Sequence, residues 1–531
     1  MSYPSIFNDV IGPVMRGPSS SHCAASLRIG RLCRDLMEGN IDEALIEFDP
    51  NGSLATTHEA QGSDMGLFSG FLGWDAHDQR LPDYREAIVK AGISTTIRIV
   101  DIGAQHPNTY KLTLKSSHET RELVALSLGG GMVEVIAIDG ASVSMAGDYY
   151  ETLIYTDSPE SLCSYLASVT AFDDCIVCRG LKQFVQVKTQ TALTDRLLSD
   201  LLAMDGVSVI KQLNPVMPVM YRANLVVPFI TVEEMLDYNS DKALSLWELA
   251  IDYESARGNM SAEQVWKKMA NIVKIMRDSV ESGLKGTAYT DRILGCQSVH
   301  FREQMEQEQL VQGDVLNTII LYVTAIMEVK SSMGVIVAAP TAGSCGALPG
   351  AVLATTQTLK LSEDVAIRAM LAAGLIGIFV AAHATFAAEV GGCQAECGSG
   401  AGMAAAAIVQ MAGGSLAQSL SAASIALQNS FGMVCDPIAN RVEAPCLGKN
   451  ILAATNALSC ANMALANYDP LIPLDEVIEA MDKVGQSIPN DLRCTALGGL
   501  SVTKTSKDIE RRMAEQGMIG IAQDGNRFKV C

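Results

Sequence analysis

The sequence predicts a multidomain α+β fold, and three changes of rhythm along its 531 residues predict it. Up to about residue 150, apolar residues recur at alternate positions in short runs broken by Gly and Asn, the pattern of half-buried strands. Between 151 and 222, strand and helix patterns follow in the order βαββαβ, the ferredoxin-like plan. From 223 to 531 nearly every segment carries apolar residues at helical spacing or is apolar all round. A chain of this length exceeds one typical core, and domains over 1–150, 151–222 and 223–531 are expected from these shifts.

In the first region ALIEFD, TTIRIVDIG, TYKLTLKSS and ELVALSLGGGMVEVIAIDG read as strands, with CAASLRIGRLCRDLME as a helix between them. In the second, YETLIYT, DDCIVC, QFVQVKTQ and GVSVIKQL are the strands; SPESLCSYLAS and TDRLLSDLLAMD are the helices. The two prolines of LNPVMPVM mark a linker. In the third, TVEEMLDYNSDKALSLWELAIDYE, SAEQVWKKMANIVKIMRDSVESGL, GDVLNTIILYVTAIMEVKSSMG and LDEVIEAMDKVGQS are amphipathic helices. The Ala-rich runs between 350 and 465 read as helices buried on every side. One of them, Ala369 to Ala388, is long enough to span a bilayer. Its Ala and Gly content, its interrupting His383 and its lack of a basic or aromatic flank favour a core helix instead.

The formal net charge of −20 offers no basic face to nucleic acid or to an anionic membrane. The opening MSYPSIFNDVIG lacks the basic and apolar regions of a signal peptide, so a reducing, cytoplasmic location is expected. In that compartment the 14 cysteines are not disulfide partners. Each is a small buried hydrophobe, or a metal-binding or catalytic thiol.

Cysteines gather at Gly- and Pro-rich breaks between the buried helices: PTAGSCGALPG (Cys345), GGCQAECGSG (Cys393, Cys397) and VCDPIANRVEAPCLGKN (Cys435, Cys446). A metal cluster needs close backbone approach, N–H donors to sulfur and turns that aim thiolates inward, and such breaks supply all three. The spacing alone matches no compact ferredoxin or zinc pattern, so buried structural cysteines are the better reading at this point. A second polar group is GPSSSHC, with Ser19, Ser20, Ser21 and His22, joined far downstream by HPNT, with His106, Asn108 and Thr109. Its hydroxyls and imidazole can cap the helix that follows, or bind a carboxylate and move protons.

Taken together, GPVMRGPSSSHCAASLRIGRL, HPNT, SLGGG, AAPTAGSCGALPG, GGCQAECGSGAGMAAAA and CDPIANRVEAPC resemble the iron-sulfur-dependent L-serine dehydratases, and in the family's order. The resemblance implies an N-terminal α/β substrate-binding-type domain, a central ACT-like module, and a C-terminal all-α domain carrying a [4Fe-4S] cluster. It implies cluster ligation by Cys393, Cys435 and Cys446, with one iron open to an amino-acid substrate. Ser19, Ser20, Ser21, His22, His106, Asn108 and Thr109 would face the cluster across an interdomain cleft. Cys345 and Cys397 match positions that are not ligands. Single-chain members place a C-terminal cysteine on the open iron, and Cys531 matches that position. The implied reaction is loss of water from L-serine, giving pyruvate and ammonia in amino-acid degradation, by a cytoplasmic homodimer.

The sequence also departs from the family. AQGSD carries Gln61 where a histidine is usual, Cys23 replaces a threonine, and Lys330 and His383 stand where asparagine is common. Gln is no general base, so His58, His22 or His106 would have to serve. The same departures keep two other readings open: a carbon-sulfur lyase acting on L-cysteine, and a non-catalytic iron-sulfur sensor.

Overall fold

A computed structural model describes residues 3–59 and 61–516; Cys531 lies outside the described residues. The fold is α+β. The first sheet contains β1 (Glu43–Phe48), β2 (Ser94–Ile99), β3 (Thr109–Lys115), β4 (Thr120–Gly129), β5 (Met132–Ile138) and β6 (Ala141–Met145), in the spatial order β2-β1-β3-β4-β5-β6. β1 and β2 run parallel and the remaining pairs antiparallel, so the sheet is mixed. The run with SLGGG inside it, read as strands broken at glycine, is the β4–β5 hairpin: Gly129, Gly130 and Gly131 all hold positive φ, which closes the turn.

Two helices cover this sheet, α1 (Ala25–Leu36) and α2 (Ser63–Phe71), and their contact is set by glycine. A Cβ on Gly70 would lie 2.3 Å from Leu27 O, and one on Gly66 would lie 2.0 Å from Cys23 O. Only residues without a side chain allow this approach, which brings the loop before α1 against the loop before α2. Ser20–Ala24, between that first loop and α1, is a π-turn.

The central segment forms a second sheet of β7 (Tyr150–Thr156), β8 (Asp174–Arg179), β9 (Gln183–Thr189) and β10 (Val207–Leu213). Its order is β10-β7-β9-β8 with every pair antiparallel, and α3 (Pro159–Val169) and α4 (Asp195–Leu202) lie in the two crossovers. It has its own small core, built on Ile154, Leu162, Leu166, Val185, Val187, Leu193 and Leu201.

The remainder is largely helical. Its principal helices are α5 (Leu246–Gly258), α6 (Ala262–Leu284), α7 (Asp314–Ser331), α8 (Ala347–Thr358), α9 (Glu363–His383), α10 (Ser399–Met411), α11 (Leu416–Gln428), α12 (Cys446–Leu465), α13 (Leu474–Ser487) and α14 (Lys504–Glu515). The segment read as one helix from Thr231 to Glu254 is two, Val232–Tyr238 and α5. The Asn239 side chain bonds both Leu244 N and Leu244 O, and Ser245 with Glu248 forms a capping box that restarts the helix. α9 is the long apolar run, and 78% of its most apolar window is buried in protein. The chain start threads through this region: Ile6 and Val10 fill the space at Gly374 and Gly377 of α9, and Val14–Met15 pairs antiparallel with Ile336–Val337. The C-terminal region is thus not purely α, because it borrows a strand partner from the N-terminus.

Candidate active site

The SSSH loop enters α1 through the π-turn, with its side chains buried. His22 is wholly buried; its Nδ1 lies 3.0 Å from Ser19 Oγ and its Nε2 2.7 Å from Thr57 Oγ1. Burial, with a contribution from His58, pulls its pKa down to about 3, so the ring is neutral at physiological pH. Ser20 Oγ accepts a hydrogen bond from Ala342 N in the PTAGSCG loop at 3.1 Å. Ser127 of the SLGGG hairpin donates to Ser21 O at 2.7 Å. Motifs far apart in sequence therefore meet at one interface.

HPNT lies beside them. Asn108 N donates to His106 Nδ1 at 3.2 Å, Thr109 Oγ1 donates to His106 O at 2.7 Å, and Ser53 Oγ donates to Asn108 Oδ1. His106 is half-buried, and burial lowers its pKa. Glu389, a residue not singled out from the sequence, approaches both motifs. Its Oε1 is 3.6 Å from His22 Nδ1, and Asn108 and Ser21 lie against its carboxyl. Burial raises its pKa, against the pull of those neighbours. Glu389 Oε2 and Asn108 Nδ2 are both buried with no hydrogen bond in the protein. Unpaired buried polar atoms are costly, and these two lie at one spot, Asn108 against the Glu389 carboxyl.

Four residues along from Glu389 is Cys393. Gly392, at φ +72°, lets the chain pass where a Cβ would lie 2.8 Å from Met433 O. Gln394 then ties the turn down, donating from Nε2 to Met481 O and accepting from Gly432 N. Cys393 and Cys435 are in sulfur contact: the bond from Cys435 lowers the Cys393 pKa despite burial, aided by Lys449. The same bond, one with Cys494, and burial raise Cys435. Lys449 Nζ donates to Val434 O and Asp436 Oδ1, both at 2.6 Å, and lies 3.9 Å from Cys393 Sγ. Cys446, at the first turn of α12, is buried and pushed up to about 12 by desolvation, with the Cys393 charge adding to it. Asn450 bonds Cys446 O and caps α8 through Gly346 N and Ala347 N, which fixes the start of α12.

Sequence reasoning missed Cys494, Glu389 and Glu396. Cys494 joins Cys393, Cys435 and Ala388 in one apolar cluster, packed by Met433. Glu396, one turn after Cys393, accepts from Thr341 Oγ1 at 2.6 Å, and burial, then Cys393 and Glu389, push its pKa up to about 8. Carboxylates inside an Ala- and Gly-rich run were the available signal, since such groups are rarely buried without a task.

The four departures fall differently. Gln61 is buried in the site and donates from Nε2 to Cys494 Sγ at 3.4 Å. Cys23 bonds Arg16 O at 3.4 Å and is pushed up to about 12 by burial. Lys330 is fully buried and donates to Val442 O, holding the loop that leads to Cys446. His383 is exposed at the end of α9, with its Nε2 3.1 Å from Ile230 O. Of the possible substitutes for a histidine at position 61, His58 pairs with Asp64 at 2.8 Å.

Among the described residues no three His, Cys, Asp or Glu side chains converge on a single-ion point. The donors are instead all sulfur, buried and unpaired in disulfides: Cys393, Cys435 and Cys494 share one cluster, and Cys446 lies close enough for the Cys393 charge to act on it. Lys449 supplies a cation beside them. This donor set fits an iron-sulfur cluster.

Residues 241–501 match the family described as serine dehydratase alpha chain. A protein of Bacillus subtilis named "Probable L-serine dehydratase, alpha chain" is 38% identical over 285 residues, covering 54% of this chain and 95% of its own length. The chain belongs to the L-serine dehydratase family. The L-serine dehydratase alpha chain of Peptoniphilus asaccharolyticus is 36% identical over 288 residues, 54% of this chain and 99% of that protein. The L-serine dehydratase of Haemophilus influenzae is 26% identical over 501 residues, 92% of this chain and 96% of that protein. The family match takes in Cys393, Cys435, Cys446 and Cys494, and the likeness to the Haemophilus relative runs over most of the chain.

Proposed function

We propose that this chain is an L-serine ammonia-lyase that eliminates water from L-serine to give pyruvate and ammonia, with a [4Fe-4S] cluster held by Cys393, Cys435 and Cys446. The observation that carries the reading is the meeting of two sets of groups through one residue. Glu389 touches the SSSH and HPNT loops on one side, and on the other it stands four residues before Cys393, close enough for its charge to act on that thiol. When bound, a cluster with one open iron supplies a Lewis acid for the β-hydroxyl, a poor leaving group.

The chain's own residues do the rest. Ser20, Ser21 and Asn108 orient the amino acid, Asn108 through its unpaired Nδ2. Neutral His22, held by Ser19 and Thr57, positions the Glu389 carboxyl. Glu389 Oε2 takes the Cα proton, and its raised pKa makes it a better base than a solvated carboxylate. His106 and Thr109 shape the HPNT turn that presents Asn108. The proton taken by Glu389 is passed to the departing β-hydroxyl, which leaves as water; the aminoacrylate tautomerises to the imine, and its hydrolysis yields pyruvate and ammonia. Burial of every one of these groups except half-buried His106 keeps bulk water from competing for the proton.

We further assign residues 1–150 and 223–531 as the two halves that build the site, and 151–222 as an ACT-like module apart from it. Among the described residues thirteen cysteines are free and ten of them are buried, which suits a reducing cytoplasm, and a homodimer is the default assembly. The test is to load the chain anaerobically with iron and sulfide and to measure pyruvate from L-serine and L-cysteine side by side. Pyruvate from serine is expected. Release of sulfide with pyruvate from cysteine alone would move the chain to the carbon-sulfur lyases, and ligand binding without product to the sensors.

A further inference from the structure

Two thiols of the βαββαβ unit stand apart from the candidate active site and take no part in its chemistry. Cys175, on the edge strand β8, directs its Sγ at Cys163 on α3, 3.1 Å away. Both are half-buried and keep some surface open to solvent, whereas ten of the thirteen described cysteines are buried. Desolvation, then the bond to Cys163, push Cys175 up to about 12, so it holds its proton and donates it to the Cys163 sulfur. Cys178, three residues along the same strand, faces the other side of the sheet, buried with its Sγ 3.7 Å from Gln186 Oε1. Between Cys163 and Cys175 runs the loop 170–173, which walls a cavity of about 500 Å³ that Thr189, Thr194 and Arg196 also line. The end of this loop is anchored. Asp173 N donates to Lys188 O at 2.8 Å, and Asp173 Oδ2 accepts from Gln190 Nε2 and, at 2.9 Å, from Ala223 N, where the helical region begins.

We infer that Cys163 and Cys175 are a redox modification site, joined reversibly as a disulfide by a low-molecular-weight disulfide oxidant. A reducing compartment excludes lasting bridges, and those that do form there are as a rule transient and redox-sensing. Bonded sulfurs lie about 2.0 Å apart, so the gap closes by a shift of about 1 Å shared between two side chains. The Cys163 thiolate attacks one sulfur of the oxidant, expels one small thiolate and is left as a mixed disulfide. Cys175 then gives up its proton and attacks the Cys163 sulfur, which releases the second small thiol. The protein loses two electrons and two protons, and the oxidant becomes two thiols. The new bond ties α3 to β8 across the base of the loop 170–173, so it fixes one wall of the cavity together with the Asp173 anchor.

The test treats the anaerobically loaded full-length chain, Cys163→Ser and Cys175→Ser with oxidised glutathione. Remaining thiols are blocked with iodoacetamide after denaturation, and each cysteine is assigned by peptide mass spectrometry. Wild type is expected to yield a peptide linked through Cys163 and Cys175 that dithiothreitol splits, with Cys178 alkylated. Cys175→Ser should stop at glutathione on Cys163, and Cys163→Ser should give no link. Hydrogen exchange over 170–173 should slow at least several-fold in oxidised wild type and in neither variant. A wild-type chain whose two thiols both stay open to alkylation would overturn the proposal, as would one that keeps glutathione on Cys163 with Cys175 free. A linked chain with unchanged exchange would refute the restraint of the loop. The link is read at its own peptides, so a failure of the cluster reading would leave this result untouched.

Discussion

Glu389 is where the chemistry turns on one side chain. A buried carboxyl oxygen without a partner costs folding free energy, and it is retained beside His22, Ser21 and Asn108. Glu389→Gln keeps the shape and removes the base, so kcat with L-serine should fall about 10²–10⁴-fold, the usual worth of a general base. The iron and sulfide content should stay unchanged, and steady-state kinetics with an iron assay on the same sample checks both. His22 makes a prediction about stability. Its folded pKa, about 3, lies below its ordinary value of 6.5, so between these values the unfolded chain binds the extra proton. Its contribution is present above pH 6.5 and is lost as pH falls toward 3, by about 1.4 kcal/mol per pH unit. Denaturant unfolding between pH 4 and 6.5 should therefore show a shallower loss in His22→Asn than in wild type. At this scale the breaks that hold Cys345, Cys393, Cys397, Cys435 and Cys446 were legible, because Gly and Pro punctuate helices, whereas the choice of Cys393, Cys435 and Cys446 among them is what the family likeness implies. Cys494 and Glu389 were not: each acquires its meaning from a partner on a distant segment, Gln61 for one and His22 for the other.

The α1–α2 pair decides whether the N-terminal loops face the thiols. Gly70→Ala would place a methyl 2.3 Å from a backbone carbonyl, which cannot rotate away as a side chain can. The helices must separate, at a cost of about 1–3 kcal/mol. A lower thermal midpoint together with a raised KM for L-serine is expected, since Ser20 and Ser21 ride on the start of α1. Element types were largely legible from periodicity. The break at Asn239 was not, because apolar spacing runs through it while the polar cap that restarts the helix is a local side-chain event. Nor was the pairing of Val14–Met15 with Ile336–Val337, since two-residue strands carry no pattern of their own.

For the molecule as a whole, the βαββαβ unit packs one face around a small core of its own, while Leu153, Tyr155, Phe184 and Leu213 on the other face join the large core that runs through the other two regions. Leu166→Ala should destabilise that unit by about 2–5 kcal/mol. Amide exchange would then rise over residues 150–213 while the iron content and serine turnover stay near wild type; exchange rising equally through α9 would show that the cores are coupled. The order of its strands was readable because each is short and bounded by turns. The joining of first and last regions into one site was not readable from periodicity and came from the family likeness, since Glu389, Gln61 and Ala342 act across the interface. The most direct test of the account is pyruvate formation from L-serine by the anaerobically loaded chain, set against Cys435→Ala. The account predicts equal amounts of pyruvate and ammonia from the wild type, and neither product, with reduced iron, from the variant. A fully loaded wild type that releases no pyruvate, or a Cys435→Ala chain with undiminished turnover, would contradict it.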